Sequence, residues 1–126
     1  MRAKRVLNVK VGEPIEASLG RAANFMEMLE RGERAKPYFG IGFKNMGQML
    51  AVFTPKRWDL LAAMRDTGPT TTAALARHVK RDYKNVHNDI DRLVEWQAVE
   101  KDAQGLVFAP YDEIVVEVRM PVGRAA

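Results

Sequence analysis

The sequence predicts an α+β fold, on three observations. Apolar residues alternate with polar ones or glycine at residues 6–11 and 38–43, and a valine-rich run closes the chain at 114–120; these read as strands. Apolar residues recur at three- and four-residue spacing between Ile15 and Trp96, in segments that open on Asn, Thr or Asp, as helices do. Two short segments, 99–101 and 106–109, flank the turn-like tetrad Asp102-Ala103-Gln104-Gly105 and form a hairpin candidate.

The elements follow in order. Leu7, Val9 and Val11 alternate against Asn8 and Lys10, and Gly12 and Pro14 end this first strand. From Ile15 to about Arg31, the residues Ile15, Leu19, Ala22, Met26 and Leu29 make an apolar stripe on one helical face, stopped by Gly32. That stripe is expected to be core rather than an interaction groove. Phe39, Ile41 and Phe43 share one face of the next strand, with Tyr38, Gly40 and Gly42 on the other. Asn45 caps a short helix over 45–53, apolar at Met46, Met49, Leu50 and Phe53. Thr54-Pro55 opens another, with a capping hydroxyl and a proline at the first helical position; Trp58, Leu61, Ala62 and Arg65 set its spacing and Gly68-Pro69 closes it. Thr71 caps a helix to Val79 that buries Leu75, Ala76 and Val79. Asp82 caps a longer one with Val86, Ile90, Leu93 and Trp96 inward.

A chain of 126 residues allows one compact domain with a small extension. No cysteine is present, which excludes disulfides, thiolate catalysis and cysteine-based zinc sites. The longest apolar runs fall far short of the ~20 residues that span a bilayer, and MRAKRVLNVK lacks the apolar stretch of a secretory signal. The expectation is a soluble cytoplasmic domain that does not engage membranes. The net charge of +4 is unevenly placed: residues 1–53 carry nine basic and five acidic side chains, residues 54–126 eleven of each. Within the neutral half, Arg77, Lys80, Arg81 and Lys84 crowd together, and an acidic segment follows from Glu95 to Glu117. This is a dipolar domain, or else a generic solvated surface.

Three helices and a hairpin outline a winged helix-turn-helix, here with an N-terminal strand and helix extension over residues 1–52, the winged unit over 53–120 and a flexible tail over 121–126. Only Lys80 and Arg81 separate Val79 from the Asp82 cap, so the last two helices meet at a sharp angle that projects helix 82–97 outward. Its outer side in the first two turns holds Tyr83, Lys84, His87 and Asn88. Lysine and arginine neutralise phosphates, and Lys84 can instead reach a guanine acceptor edge. Asn88 offers the paired donor and acceptor that adenine presents in the major groove. His87 can donate to a phosphate or a base, and Thr71 and Thr72 stand where helix amides can meet a phosphate. Lys84 and Asn88, one turn apart, equally suit a plain solvated face, and Thr71 needs no ligand to act as a cap.

Residues 43–118 resemble the MarR-like winged-helix superfamily, and within it short prokaryotic transcriptional regulators, some encoded beside toxin genes. The segments that carry this are FTPKRWDLLAAM (53–64), TTAALARHV (71–79), RDYKNVHNDIDRLVEW (81–96) and PYDEIVVEV (110–118). The resemblance implies a homodimer that binds double-stranded DNA sequence-specifically and regulates transcription. By position it assigns Arg81, Tyr83, Lys84, Asn85, His87 and Asn88 to recognition, with Gln104 at the wing tip. Two departures stand out: Asn88 occupies a position that is commonly basic, and the wing tetrad lacks Lys and Arg. The alternative it raises is an antitoxin, or an interaction module that holds a toxin protein. The basic N-terminal residues Arg2, Lys4, Arg5 and Lys10 equally suit an arm that reaches DNA.

Catalysis has little support. His87 and Asp91 are one turn apart, which suits an intrahelical hydrogen bond or a DNA-facing histidine better than an acid–base pair or metal site. Gly40, Gly42 and Gly47 are not followed by the Lys-Ser/Thr of a phosphate-binding loop. The reading is of a non-enzyme without catalytic residues, metal or cofactor.

Overall fold

The computed structural model describes residues 4–34 and 36–120. The fold is α+β. Strand β1 (Val6–Val11), helix α1 (Ile15–Glu30) and strand β2 (Phe39–Phe43) form a parallel β-α-β unit. Helices α2 (Met46–Val52), α3 (Pro55–Thr67), α4 (Thr72–Val79) and α5 (Tyr83–Glu95) follow, then the antiparallel pair β3 (Glu100–Lys101) and β4 (Val107–Phe108), and finally β5 (Glu113–Val118). β5 does not join the hairpin. It runs parallel to β1, giving a three-stranded sheet of order β2-β1-β5 in which Val6 pairs with Glu113 and Val11 with Val118.

Four polar caps start the helices as the sequence requires. Asn45 accepts from Gln48 N at 2.9 Å, Thr54 from Arg57 N at 3.3 Å, Thr71 from Ala74 N at 3.1 Å and Asp82 from Asn85 N at 3.2 Å. Each satisfies an amide that the first turn leaves without a helical partner, a contribution of about 1 kcal/mol.

The two sheet faces differ. Leu7, Val9, Val11, Ile41 and Phe43 are buried against the helices, joined by Phe53, Leu60, Met64, Leu75, Val86, Ile90 and Leu93 in one core. The opposite face carries Asn8, Lys10, Gly40 and Gly42 beside Val115, and Lys10 reaches Glu117 across the sheet at 2.6 Å. α1 buries no residue, and Arg21, held by Glu13 at 2.8 Å, anchors it. An open cleft of about 1140 Å³ separates α1 from β2, bounded by Lys10, Arg21, Phe25, Tyr38, Gly40 and Gly42.

Several sequence expectations are corrected here. The stripe Ile15, Leu19, Ala22, Met26 and Leu29 is not core: Ile15 is 68% exposed and Leu19 61%. Its helical spacing was legible, but whether another element covers it was not. In α3 the inner positions are Leu60, Leu61, Ala63 and Met64; Ala62 and Arg65 are exposed, and Trp58 lies half-buried, stacked on Phe53 at 5.0 Å. Val79 and Trp96 are half-buried. Arg2 and the tail 121–126 lie outside the described residues.

Candidate nucleic-acid interface

The geometry of the α4–α5 corner follows from two residues. Lys80 adopts the left-handed conformation (φ 57°, ψ 46°), and Arg81 N–H donates back to Ala76 O at 3.0 Å. This is the closure that usually falls to glycine, since a Cβ there is crowded by backbone. α5 leaves this corner with Val86, Ile90 and Leu93 buried, so helical periodicity turns Lys84, Asn88, Asp91 and Glu95 outward. Tyr83, Lys84, Asn85 and Asn88 are exposed and His87 is half-exposed.

Charge on α5 is graded by ion pairing. Asp89, which lies toward α3, is held by Arg57 Nε at 2.9 Å and by an Arg81 terminal nitrogen at 2.7 Å, with all three side chains about four-fifths buried. Arg57 also donates to Val52 O at 2.9 Å, which ties the α2–α3 junction to α5. This clamp changes the role of Arg81. The sequence placed it with the surface cations, whereas its guanidinium neutralises an acid that would otherwise sit beside the outward face of α5. Asp91 lies 3.5 Å from His87 Nδ1, and Glu95 pairs with Arg92 at 3.0 Å. Lys80 and Lys84 are exposed, and no ion pair engages either among the described residues. The first two turns of the outward face thus remain cationic and amide-bearing, while the acids along α5 are largely paired.

The other sequence candidates fall into two places. Thr71 is spent on its cap, with Thr72 half-buried beside it, at the N-terminus of α4. Gln104 lies exposed at the hairpin tip, where its backbone N–H donates to Asp102 Oδ1 at 2.9 Å. The hairpin is fixed to the helices through Thr70, which exchanges backbone hydrogen bonds with Val107 at 2.7 and 3.1 Å. The string Pro110-Tyr111-Asp112 is structural. The Tyr111 hydroxyl donates to Gln97 O at 3.0 Å, closing α5, and Asp112 accepts from Arg5 N at 2.7 Å. Burial raises the Tyr111 pKa above its ordinary value, so this donor keeps its proton. Sequence reasoning missed the Arg57–Asp89 contact. The available signal was Asp89 itself, an acid one residue before buried Ile90 and hence at the edge of the inner face.

The model of the HVO_A0114 family matches residues 52–116, just over half of the chain. The chain belongs to the HVO_A0114 family. The HVO_A0114 match runs from the end of α2 through the Arg57–Asp89 clamp, the α4–α5 corner, the hairpin and much of β5, and it leaves out β1, α1 and β2. No curated protein and no solved structure matches the chain. Among the described residues no cluster of acids and histidines is built to hold a metal, and no helix is long and apolar enough to cross a membrane.

Proposed function

We propose that this protein is a dimeric, sequence-specific DNA-binding transcriptional regulator of MarR-like winged helix-turn-helix architecture, acting in the cytoplasm and reading the major groove with α5. One observation carries the reading. The sharp α4–α5 corner presents Lys84 and Asn88 outward on a helix whose inward acid, Asp89, is neutralised by two arginines. A bare carboxylate at that position would repel phosphate; the clamp removes this penalty and leaves Lys80 and Lys84 for the backbone. The β3–β4 hairpin stands as the wing, with Gln104 at its tip, and with Lys101 as its one basic residue it contributes little phosphate contact.

Selection from random duplex DNA at stated salt should return a site with two related halves. On that site Asn88→Ala should cost about 1–3 kcal/mol, concentrated at one base position, as expected when a bidentate amide–adenine contact is lost. An equal loss on all sequences, or no loss, removes Asn88 from base readout.

The exposed α1 stripe favours a second reading, an antitoxin or interaction module that holds a toxin protein on its N-terminal unit. Loss of a co-purifying partner in Leu19→Asp, with DNA binding retained, would support it.

A further inference from the structure

Strand β5 lies at the edge of the sheet, with its outer side unpaired among the described residues. Glu113 and Arg119 donate their amides to β1, at Arg5 O and Val11 O, so the odd-numbered positions of β5 face β1. The N–H and C=O groups of Ile114, Val116 and Val118 therefore point out of the sheet. β5 has no proline and no lysine, and its charges, Glu113 and Glu117, lie off the core-side positions. Instead it shows apolar side chains on both faces, with Val115 42% exposed, Val116 38% and Val118 40%.

We infer that β5 is the contact between two copies of this chain, paired antiparallel about a two-fold axis through Val116. The choice of occupant and register comes from charge. Side chains on one face meet only when the paired positions have equal parity, which leaves three central registers. Centring on Val115 sets Glu113 against Glu117 of the second copy, and centring on Glu117 sets that acid against itself. Centring on Val116 sets Glu113 against Arg119 at both ends, Ile114 against Val118, and Val116 against Val116. Only this last register has no like-charge pair, and it places an opposite-charge pair at each end. The outward backbone groups also match, giving about six inter-chain hydrogen bonds. The two three-stranded sheets become one of six strands, and the buried edge is at the small end for a stable dimer.

This inference supplies the surface for the dimer of the proposed function. Its test uses no DNA, so failure here leaves the reading of α5 intact, and failure of α5 to bind DNA leaves the pairing intact. Light scattering coupled to gel filtration of the full chain at about 100 μM should give twice the 14.2 kDa chain mass. Val116→Pro removes an outward amide, not one bonded to β1, and should halve that mass with an unchanged circular dichroism spectrum. Arg119→Glu should weaken association about tenfold, and adding Glu113→Arg should restore it. Because the chain has no cysteine, Val116→Cys gives a clean register probe. It should cross-link to itself on oxidation, whereas Val118→Cys, about 14 Å from its counterpart in this register, should not. A monomeric wild type, a dimer that survives Val116→Pro, or cross-linking at Val118 but not Val116 would overturn the pairing.

Discussion

Asp89 joins two arginines that come from different elements. Its carboxylate collects Arg57 from α3 and Arg81 from the α4–α5 corner, and all three groups are largely withdrawn from water. Removing the acid leaves two cations without their partner in a partly dry site. Asp89→Ala should therefore destabilise by about 2–4 kcal/mol in urea unfolding, well above the cost of an exposed substitution. A change below about 0.5 kcal/mol would mean that the clamp contributes little to stability. At this scale the sequence was only partly legible. It exposed the caps Asn45, Thr54, Thr71 and Asp82, because a cap is a local interaction between near neighbours. It did not expose the clamp on Asp89, because Arg57 lies 32 positions before that acid and meets it only in the folded chain. Nor did anything local mark Lys80 for a left-handed conformation, which the packing of α4 against α5 imposes.

Among the elements, α1 is the informative exception. Its stripe has the spacing of a core helix, yet the stripe stays in solvent, while Ser18, Arg21 and Phe25 line the cleft toward Lys10, Gly40 and Gly42. Periodicity states that a helix has an apolar side; whether that side is covered depends on the element it meets. The same reasoning succeeded in α4 and α5, whose apolar residues Leu75, Val86, Ile90 and Leu93 face one another. Leu19→Ala should accordingly shift stability by less than about 0.5 kcal/mol, whereas Leu75→Ala should cost about 2–5 kcal/mol. Denaturant midpoints of the two variants check this directly, and equal losses would show α1 to be part of the core. β5 taught the complementary lesson. Its valines marked a strand, but its parallel pairing with β1 joins residues more than 100 positions apart, which no local pattern specifies.

For the whole molecule, charge is arranged in two layers. Paired charges hold the N-terminal unit together, while among the described residues no ion pair engages Lys80 and Lys84 on the corner. Glu13 is held below its ordinary pKa of 4.5 by its hydrogen bonds from Arg21, and Glu117 likewise by Lys10 and Arg119. A depressed carboxylate stabilises the fold fully above its unfolded value of 4.5, and that contribution disappears as pH falls through the lower folded value. Thermal midpoints taken from about pH 7 down to about pH 3 should fall in acid, and Glu117→Gln should show a shallower fall. A Glu117→Gln profile parallel to wild type would remove that group from the acid response. The net charge of +4, uninformative as a total, resolves into this pattern once each side chain has a place: the excess lies in the N-terminal unit, while the candidate DNA surface depends on a few unpaired cations beside a neutralised acid.

The outward face of α5 is proposed to meet DNA through Lys84. The most direct measurement is fluorescence anisotropy of one duplex with wild type and Lys84→Ala, repeated across a salt series. Loss of one phosphate contact should weaken binding on every sequence and reduce the slope of log affinity against log salt by about 1. Identical affinity and an identical slope for the two proteins would contradict the account.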